Sequence, residues 1–537
     1  MVAQAATPVT SEPAINQQSR LIAYWVLISS LLVGAMAIAI GVYQRDRNER
    51  WYRIEFLRKA VKEFEQDPEI WKALKILDFE EYRDYEMTYR NQRISFQVDN
   101  EMLCAALASH EERSKRKQTI DALQAKGALD QATLERYQME TALRDWFNKM
   151  LNGLEHFGYF VESGMFSANE IRPWMIYWIR LIADRTYKRP GASKFYDQLY
   201  TYIHDYGFSG VIKLFEQFGY RILPTPYIDT DFVEVSKRLD GFDVKVALSL
   251  AKTAYLIYED LSYVAEISSQ RWGVEIKNNF RYINNRDRDT QAFMFRTPDF
   301  VVISFRGSQE RKDWQTNFST RLKKFAFKTE MQALEEDVVP PKGQVHRGFQ
   351  AAWNSVEIEV IKQIRRWNKE RSRPLPILIT GHSLGGALAT VAAASLVKRG
   401  FNIQGLYTFG QPRVGDLVFA NEIGQLLKGK VFRFVNNNDI VPQIPPPYLP
   451  WNPLRIYVHM GQMYYFNARG NLTTRPNPFI RAIDLVLGLI RDAFKPGFDA
   501  INDHRMEFYI SNLKKALEIE QEKEKMLLQE AEDEMKQ

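Results

Sequence analysis

Residues 376–396 carry the parts that a serine nucleophile needs, in the right order. Pro376-Ile377-Leu378-Ile379-Thr380 is an apolar, strand-like run, and Gly381-His382-Ser383-Leu384-Gly385-Gly386 follows it directly. Ala387 through Leu396 is a small-residue stretch with the composition of a closely packed helix. Strand, G-x-S-x-G turn and helix together make a nucleophile elbow, which holds the serine hydroxyl clear of the sheet beside the free N–H groups of a helix start. Gly381 and Gly385 are expected there because a Cβ at so sharp a turn would meet neighbouring backbone. The plainer alternative is a glycine-rich turn with a solvated serine.

A serine hydroxyl is a poor nucleophile at neutral pH and needs a base. In the order Ser…Asp/Glu…His, the acid candidate is Asp439, where the β run Phe432–Val435 breaks into an Asn/Asp turn. Of the chain's 7 histidines, two lie beyond it, His459 and His504. His504 falls at a loop-to-helix start after the Pro496-Gly497 break, which is a placement suited to a base. His459 sits in a strand-like run, Ile456–Phe466, which suits a paired core or edge histidine. Asp416, in Pro412-Arg413-Val414-Gly415-Asp416, is the rival acid and reads better as a helix N-cap. His346 and His382 are expected to pack and hydrogen-bond around the elbow without transferring protons.

With these pieces in hand, the segments GHSLGGALA, YTFGQPRVGD and NDIVPQIPPP, and the Asp503-His504 pair before a final helix, resemble the class 3 lipase family of fungal-type triacylglycerol lipases. Phe305-Arg306-Gly307-Ser308 and Val345-His346-Arg347-Gly348-Phe349 fit the same family. The resemblance covers about residues 240–512. It implies an α/β-hydrolase domain with Ser383 as nucleophile, Asp439 as acid and His504 as base. It also implies an oxyanion hole made by Ser308 and Leu384, since two N–H donors must face the oxygen that gains charge. No cofactor or metal is expected. The expected substrate is a lipid acyl ester, with glycerolipids the favoured class; a lipase-fold scaffold without activity is the alternative.

One departure from the fungal pattern concerns the lid. The segment after the oxyanion strand, Gln309–Phe318, is mostly polar and is unsuited to covering an acyl groove. Residues 478–494 offer a second apolar element, whose polar positions fall on one helical stripe. A core helix, a cap over the acyl site and a membrane-surface helix all fit that pattern.

Leu21–Tyr43 carries no charge and is long enough as a helix to cross a bilayer. Tyr24, Trp25 and Tyr43 suit its interfacial ends, and Arg45, Arg47, Arg50 and Arg53 follow it against Arg20 alone before it. The expectation is a single-pass anchor with everything after residue 44 on the cytoplasmic face. The alternative is a signal peptide cleaved near Ala37 or Ala39, giving a secreted protein.

The 537 residues are enough for two or three domains, and the formal net charge is +6. That mild excess suits an anionic membrane surface, while interleaved acids and bases argue against nucleic acid as a partner. The single cysteine, Cys104, excludes an internal disulfide framework. The expected organisation is an α/β-hydrolase preceded by one transmembrane helix and a helical region. Its boundaries are a polar tail (1–20), the span (21–43), a helical region of unassigned role suited to protein contacts (44–225), a linker (226–240), the hydrolase (241–512) and a charged helical or disordered tail (513–537).

Overall fold

Val301–Phe305 and Ile377–His382 are buried along their whole length and pair in parallel at the centre of an eight-stranded sheet. The computed structural model describes residue 36 and residues 49–78, 84–89, 92–224, 226–227, 230–307, 322–327, 338–369, 371–437, 439–446, 457–475 and 504–536. The expected span Leu21–Tyr43, the lid position Gln309–Phe318 and the apolar segment 478–494 therefore lie outside the described residues, apart from residue 36. Among the described residues, no helix is long and apolar enough to cross a membrane.

The main sheet is formed by β1 (Phe280–Asn285), β2 (Thr290–Arg296), β3 (Val301–Phe305), β4 (Ile377–His382), β5 (Ile403–Phe409), β6 (Val431–Asn436), β7 (Gln462–Phe466) and β8 (Leu472–Thr473). Its spatial order is the chain order. β3 to β7 run parallel, and antiparallel pairs close both edges. Parallel neighbours need crossovers, and right-handed crossovers advancing in one direction all fall on one face. Helices Arg347–Asn368, Leu384–Lys398 and Leu417–Leu426 accordingly share one apolar cluster with Val301, Ile303, Ile377 and Ile379. The opposite face, with Val302 and Leu378, packs against helix Val244–Leu256 and the first turns of helix Met506–Lys536. The period of two along each strand divides the residues this way. Buried Ser304 and Thr380 hydroxyls donate to the Thr253 and Leu250 carbonyls of the Val244–Leu256 helix.

The chain divides into two units, residues 1–71 and 72–537. In the first, the described part is a helix over 49–66 and the start of the next. In the second, the helical segments belong to the same compact unit as the sheet. Helix Gln131–Glu162 buries Leu143, Phe147, Met150, Leu151 and Leu154 at three- and four-residue steps. Helix Ala168–Ala183 starts on the Ser167/Glu170 capping box that the sequence signals. The tail after residue 513 continues helix Met506–Lys536.

The run Ile456–Phe466 departs from the expected single strand. Tyr457–Val458 joins a small four-stranded sheet, while β7 belongs to the main one. Gly461, at φ 79°, turns the chain between them.

Candidate active site

Ser383 sits between β4 and helix Leu384–Lys398 with φ 57° and ψ −128°. Positive φ is costly for an L-residue outside glycine and is held only where the surroundings fix it. Here the surroundings are backbone: a Cβ at Gly381 would collide with the Gly385 oxygen, and one at Gly385 with the Phe305 oxygen. Glycine at both positions lets strand, turn and helix touch directly. The Ser383 N–H donates to the Phe409 carbonyl at 2.9 Å, which ties the elbow to the end of β5. Leu384 opens the helix, so its N–H belongs to the first turn, which has no intrahelical acceptor. Ser308 lies outside the described residues.

Asp439 follows β6 and is buried together with His504. The His504 Nδ1–H donates to Asp439 Oδ2 at 2.8 Å. The same Oδ2 accepts from the Tyr509 hydroxyl at 2.6 Å, and Oδ1 accepts from the Val441 N–H at 2.9 Å. Tyr509 in turn accepts from the Asn436 N–H at 3.2 Å. With its Nδ1 proton held by a carboxylate, a neutral His504 carries its lone pair on Nε2. That Nε2 is buried and has no hydrogen-bond partner among the described residues. A general base needs a lone pair free to take a proton, within hydrogen-bond reach of the group that gives it.

The neighbouring groups fix the histidine backbone as well. His382 Nε2 lies 2.6 Å from the His504 carbonyl, which can only accept, so Nε2 carries the His382 proton. Its Nδ1 then accepts from the Tyr258 hydroxyl at 3.0 Å, and that hydroxyl accepts from the Gly307 N–H at 3.1 Å. Through Tyr258 and His382, the loop leading to Ser308 and the loop carrying His504 are joined. Gly410 closes the arrangement: at φ 59°, a Cβ there would fall 2.6 Å from the His504 ring and 2.8 Å from Asp439 Oδ2. The Phe409-Gly410 pair therefore touches the backbone of Ser383 on one side and the His504–Asp439 pair on the other.

The remaining candidates lie elsewhere. His459 Nε2 donates to the Pro442 carbonyl at 2.8 Å. Asp416 caps helix Leu417–Leu426 by accepting from the Phe419 N–H at 2.9 Å. His346 caps helix Arg347–Asn368 through the Gly348 N–H. Among the described residues, no group of three or more His, Cys, Asp or Glu side chains could hold a metal ion. Sequence reasoning does not single out Tyr258, Tyr509 or Gly410. Only Gly410, a glycine ending the apolar run Leu406–Phe409, carries a local signal.

Residues 302–449 match the family Lipase (class 3). The secreted mono- and diacylglycerol lipase 1 of Fusarium solani is 42% identical over 146 residues, covering 27% of this chain and 39% of that protein. The triacylglycerol lipase OBL1 of Arabidopsis thaliana is 26% identical over 325 residues, covering 47% of this chain and 58% of that protein. A solved structure of the Rhizomucor miehei triacylglyceride lipase aligns at 24% identity with TM-score 0.32, covering 44% of this chain and 80% of that one. The chain thus spans between 39% and 58% of the length of these two curated relatives. The sheet it builds, with an elbow after its central strand, is that of an α/β-hydrolase, and it is over residues 302–449 that the chain is similar to class 3 lipases.

Proposed function

We propose that this protein is a serine hydrolase that cleaves carboxylic esters of lipid acyl chains, with glycerolipids as its substrates. The observation that carries the reading is the His504–Asp439 pair beside a serine elbow, with His504 Nε2 buried and without a hydrogen-bond partner among the described residues. The names of the relatives, mono- and diacylglycerol lipase and triacylglycerol lipase, support the substrate class. In this reaction Ser383 Oγ attacks the ester carbonyl and passes its proton to His504 Nε2. Asp439 keeps the imidazole in the productive tautomer and stabilises its charged form. The N–H groups of Leu384 and Ser308 receive the developing oxyanion. The alcohol leaves with the proton from His504, and a water activated by the same nitrogen releases the fatty acid.

The test is turnover of p-nitrophenyl butyrate and emulsified diacylglycerol by the purified protein, with covalent labelling by a fluorophosphonate. The expected result is hydrolysis of both esters and a single label on Ser383. No turnover and no label would favour the inactive scaffold.

The same proposal includes an anchor over residues 21–43 with the hydrolase on the cytoplasmic face, supported by an uncharged stretch followed by Arg45, Arg47, Arg50 and Arg53. The full chain is expected in the membrane pellet after alkaline carbonate extraction, with a C-terminal reporter responding as cytoplasmic. A mature chain that begins near Ile40 and appears in the exported soluble fraction would replace the anchor with a cleaved signal.

A further inference from the structure

Helix Ala168–Ala183 ends with an arrangement that its own local rules disfavour. Asp184 is the C-cap, where the helix already presents its carbonyl oxygens and partial negative charge. An acid in that position signals a tertiary partner that outweighs the local cost. The partner is Arg505, 321 residues away: its Nη1 and Nη2 donate to Asp184 Oδ1 and Oδ2 at 3.2 and 3.1 Å, and both groups are buried. The Tyr220 ring lies 4.4 Å beneath the guanidinium. Burial works against the Arg505 cation, and the carboxylate beside it more than reverses this, raising its pKa above the ordinary guanidinium value. Arg505 is the residue directly after His504.

The next residue of the same turn reaches the other side of the site. Arg185 donates to Glu259 Oε1 at 2.7 Å and to Asp197 Oδ1 at 2.8 Å, with all three side chains largely buried. Glu259 also accepts from Lys188 and from the Tyr227 hydroxyl. It directly follows Tyr258, whose hydroxyl holds both His382 Nδ1 and the Gly307 N–H. Ser193 and Asp260 exchange hydrogen bonds alongside, from Ser193 N–H and Oγ to Asp260 Oδ2 and from Asp260 N–H to Ser193 Oγ. Two consecutive residues of the helical region therefore reach the backbone on either side of the candidate site. Asp184 holds the His504 side, and Arg185 holds the Tyr258–Gly307 side.

We propose that the Asp184–Arg185 turn is a positioning element of the active site, so that the helical region before the hydrolase is required for turnover. This rests on the proposed ester hydrolysis and assigns the helical region a part in it. Neither residue touches the reacting atoms. Asp184 acts through Arg505 on the main chain of His504, and Arg185 acts through Glu259 on Tyr258. A fork-to-fork pair is suited to this because two parallel N–H···O bonds fix orientation as well as distance, which a lysine cannot do. Small displacements of a catalytic base are costly, a shift near 1 Å being worth about a hundredfold in rate.

The test compares Asp184→Asn, Asp184→Glu and Arg505→Lys in the full chain. Each is assayed on p-nitrophenyl butyrate at a temperature where circular dichroism shows the variant fully folded. Asp184→Asn and Arg505→Lys are expected to lower kcat by about ten- to a hundredfold with KM within about twofold of wild type. Asp184→Glu, which restores the paired carboxylate, is expected to recover much of that loss. A lower melting temperature with wild-type kcat in the folded variants would make the clamp structural only and overturn the proposal. Should Asp184→Asn fail to fold, Arg505→Lys, which keeps the charge and gives up the fork, carries the same readings. A wild-type protein that neither turns over ester nor takes the fluorophosphonate would sink the hydrolase reading itself. Equal activity in wild type and Arg505→Lys would sink the positioning role alone.

Discussion

Ser383→Ala and His504→Ala are each expected to lower kcat on a soluble ester by a factor of about 10⁶, and the double variant to lose almost nothing more. Without the hydroxyl the imidazole has no proton to take; without the imidazole the hydroxyl stays protonated and cannot attack. Each loss thus removes the same step, which is why the effects do not add. Asp439→Asn should cost about 10⁴, because an amide can offer its own N–H to His504 Nδ1 and so select the wrong tautomer. The geometry makes this replacement especially informative, since Oδ2 also accepts from Tyr509 at 2.6 Å and the amide would have to serve both partners. His459→Ala is the control: its Nε2 is committed to the Pro442 carbonyl, and kcat should stay near wild type. Loss of activity in His459→Ala with His504→Ala unaffected would reverse the assignment of the base.

How much of this arrangement could be read from the residues depends on the range of the forces that specify it. The elbow is legible because its constraint is local and steric: Gly381 and Gly385 are needed within a few residues of Ser383, whatever the rest of the chain does. The helix after it is legible in kind and short in extent, starting at Leu384 rather than Ala387 because the turn feeds straight into it. Strand identity across Ile456–Phe466 misleads because the apolar pattern runs through Gly461, whose positive φ divides the run between two sheets. A hydropathy pattern does not report a change of sheet. Asp416 is legible as a cap because the signal, an acid immediately before an apolar run, is local as well.

The rest is hidden for a different reason. Tyr258 and Tyr509 look like any buried aromatics in a chain with 26 tyrosines, and their hydroxyl partners lie 124 and 70 residues away. The helical region offers no chemical motif, so a packed spacer or a contact surface is the natural reading. Its buried charges are the exception to that plainness. Asp184, Arg185, Lys188 and Asp197 look in sequence like solvated helix-end charges and are instead paired inside. Burial pushes the Lys188 ammonium well below the usual lysine range. Pairing of that kind is a property of the assembled unit and leaves no periodic trace in the sequence.

The sharpest structural consequence is at Gly410, where Gly410→Ala should reduce kcat by about a hundredfold or more while the protein stays folded. Two costs fall on that position. A Cβ at φ 59° is strained, at about 1–2 kcal/mol for a left-handed backbone. The same Cβ would also sit 2.6 Å from His504 Cε1 and Nδ1 and 2.8 Å from Asp439 Oδ2, distances at which something must move. Backbone retreat is resisted by the Gly410 N–H bond to the Phe434 carbonyl at 3.1 Å and by the Ser383 bond to Phe409. The imidazole is the freer of the partners, so its displacement from Asp439 and the serine is the expected relief. Gly400 separates the two costs: it has φ 76° and no heavy atom within 4 Å of where a Cβ would stand, so Gly400→Ala carries the strain without the collision. Gly410→Ala should therefore lose more stability by thermal melting than Gly400→Ala, and only Gly410→Ala should lose turnover. Wild-type kcat in a folded Gly410→Ala would mean that the His504–Asp439 pair tolerates a methyl group at its contact face, and that its close seating against β5 is not what holds the base in place.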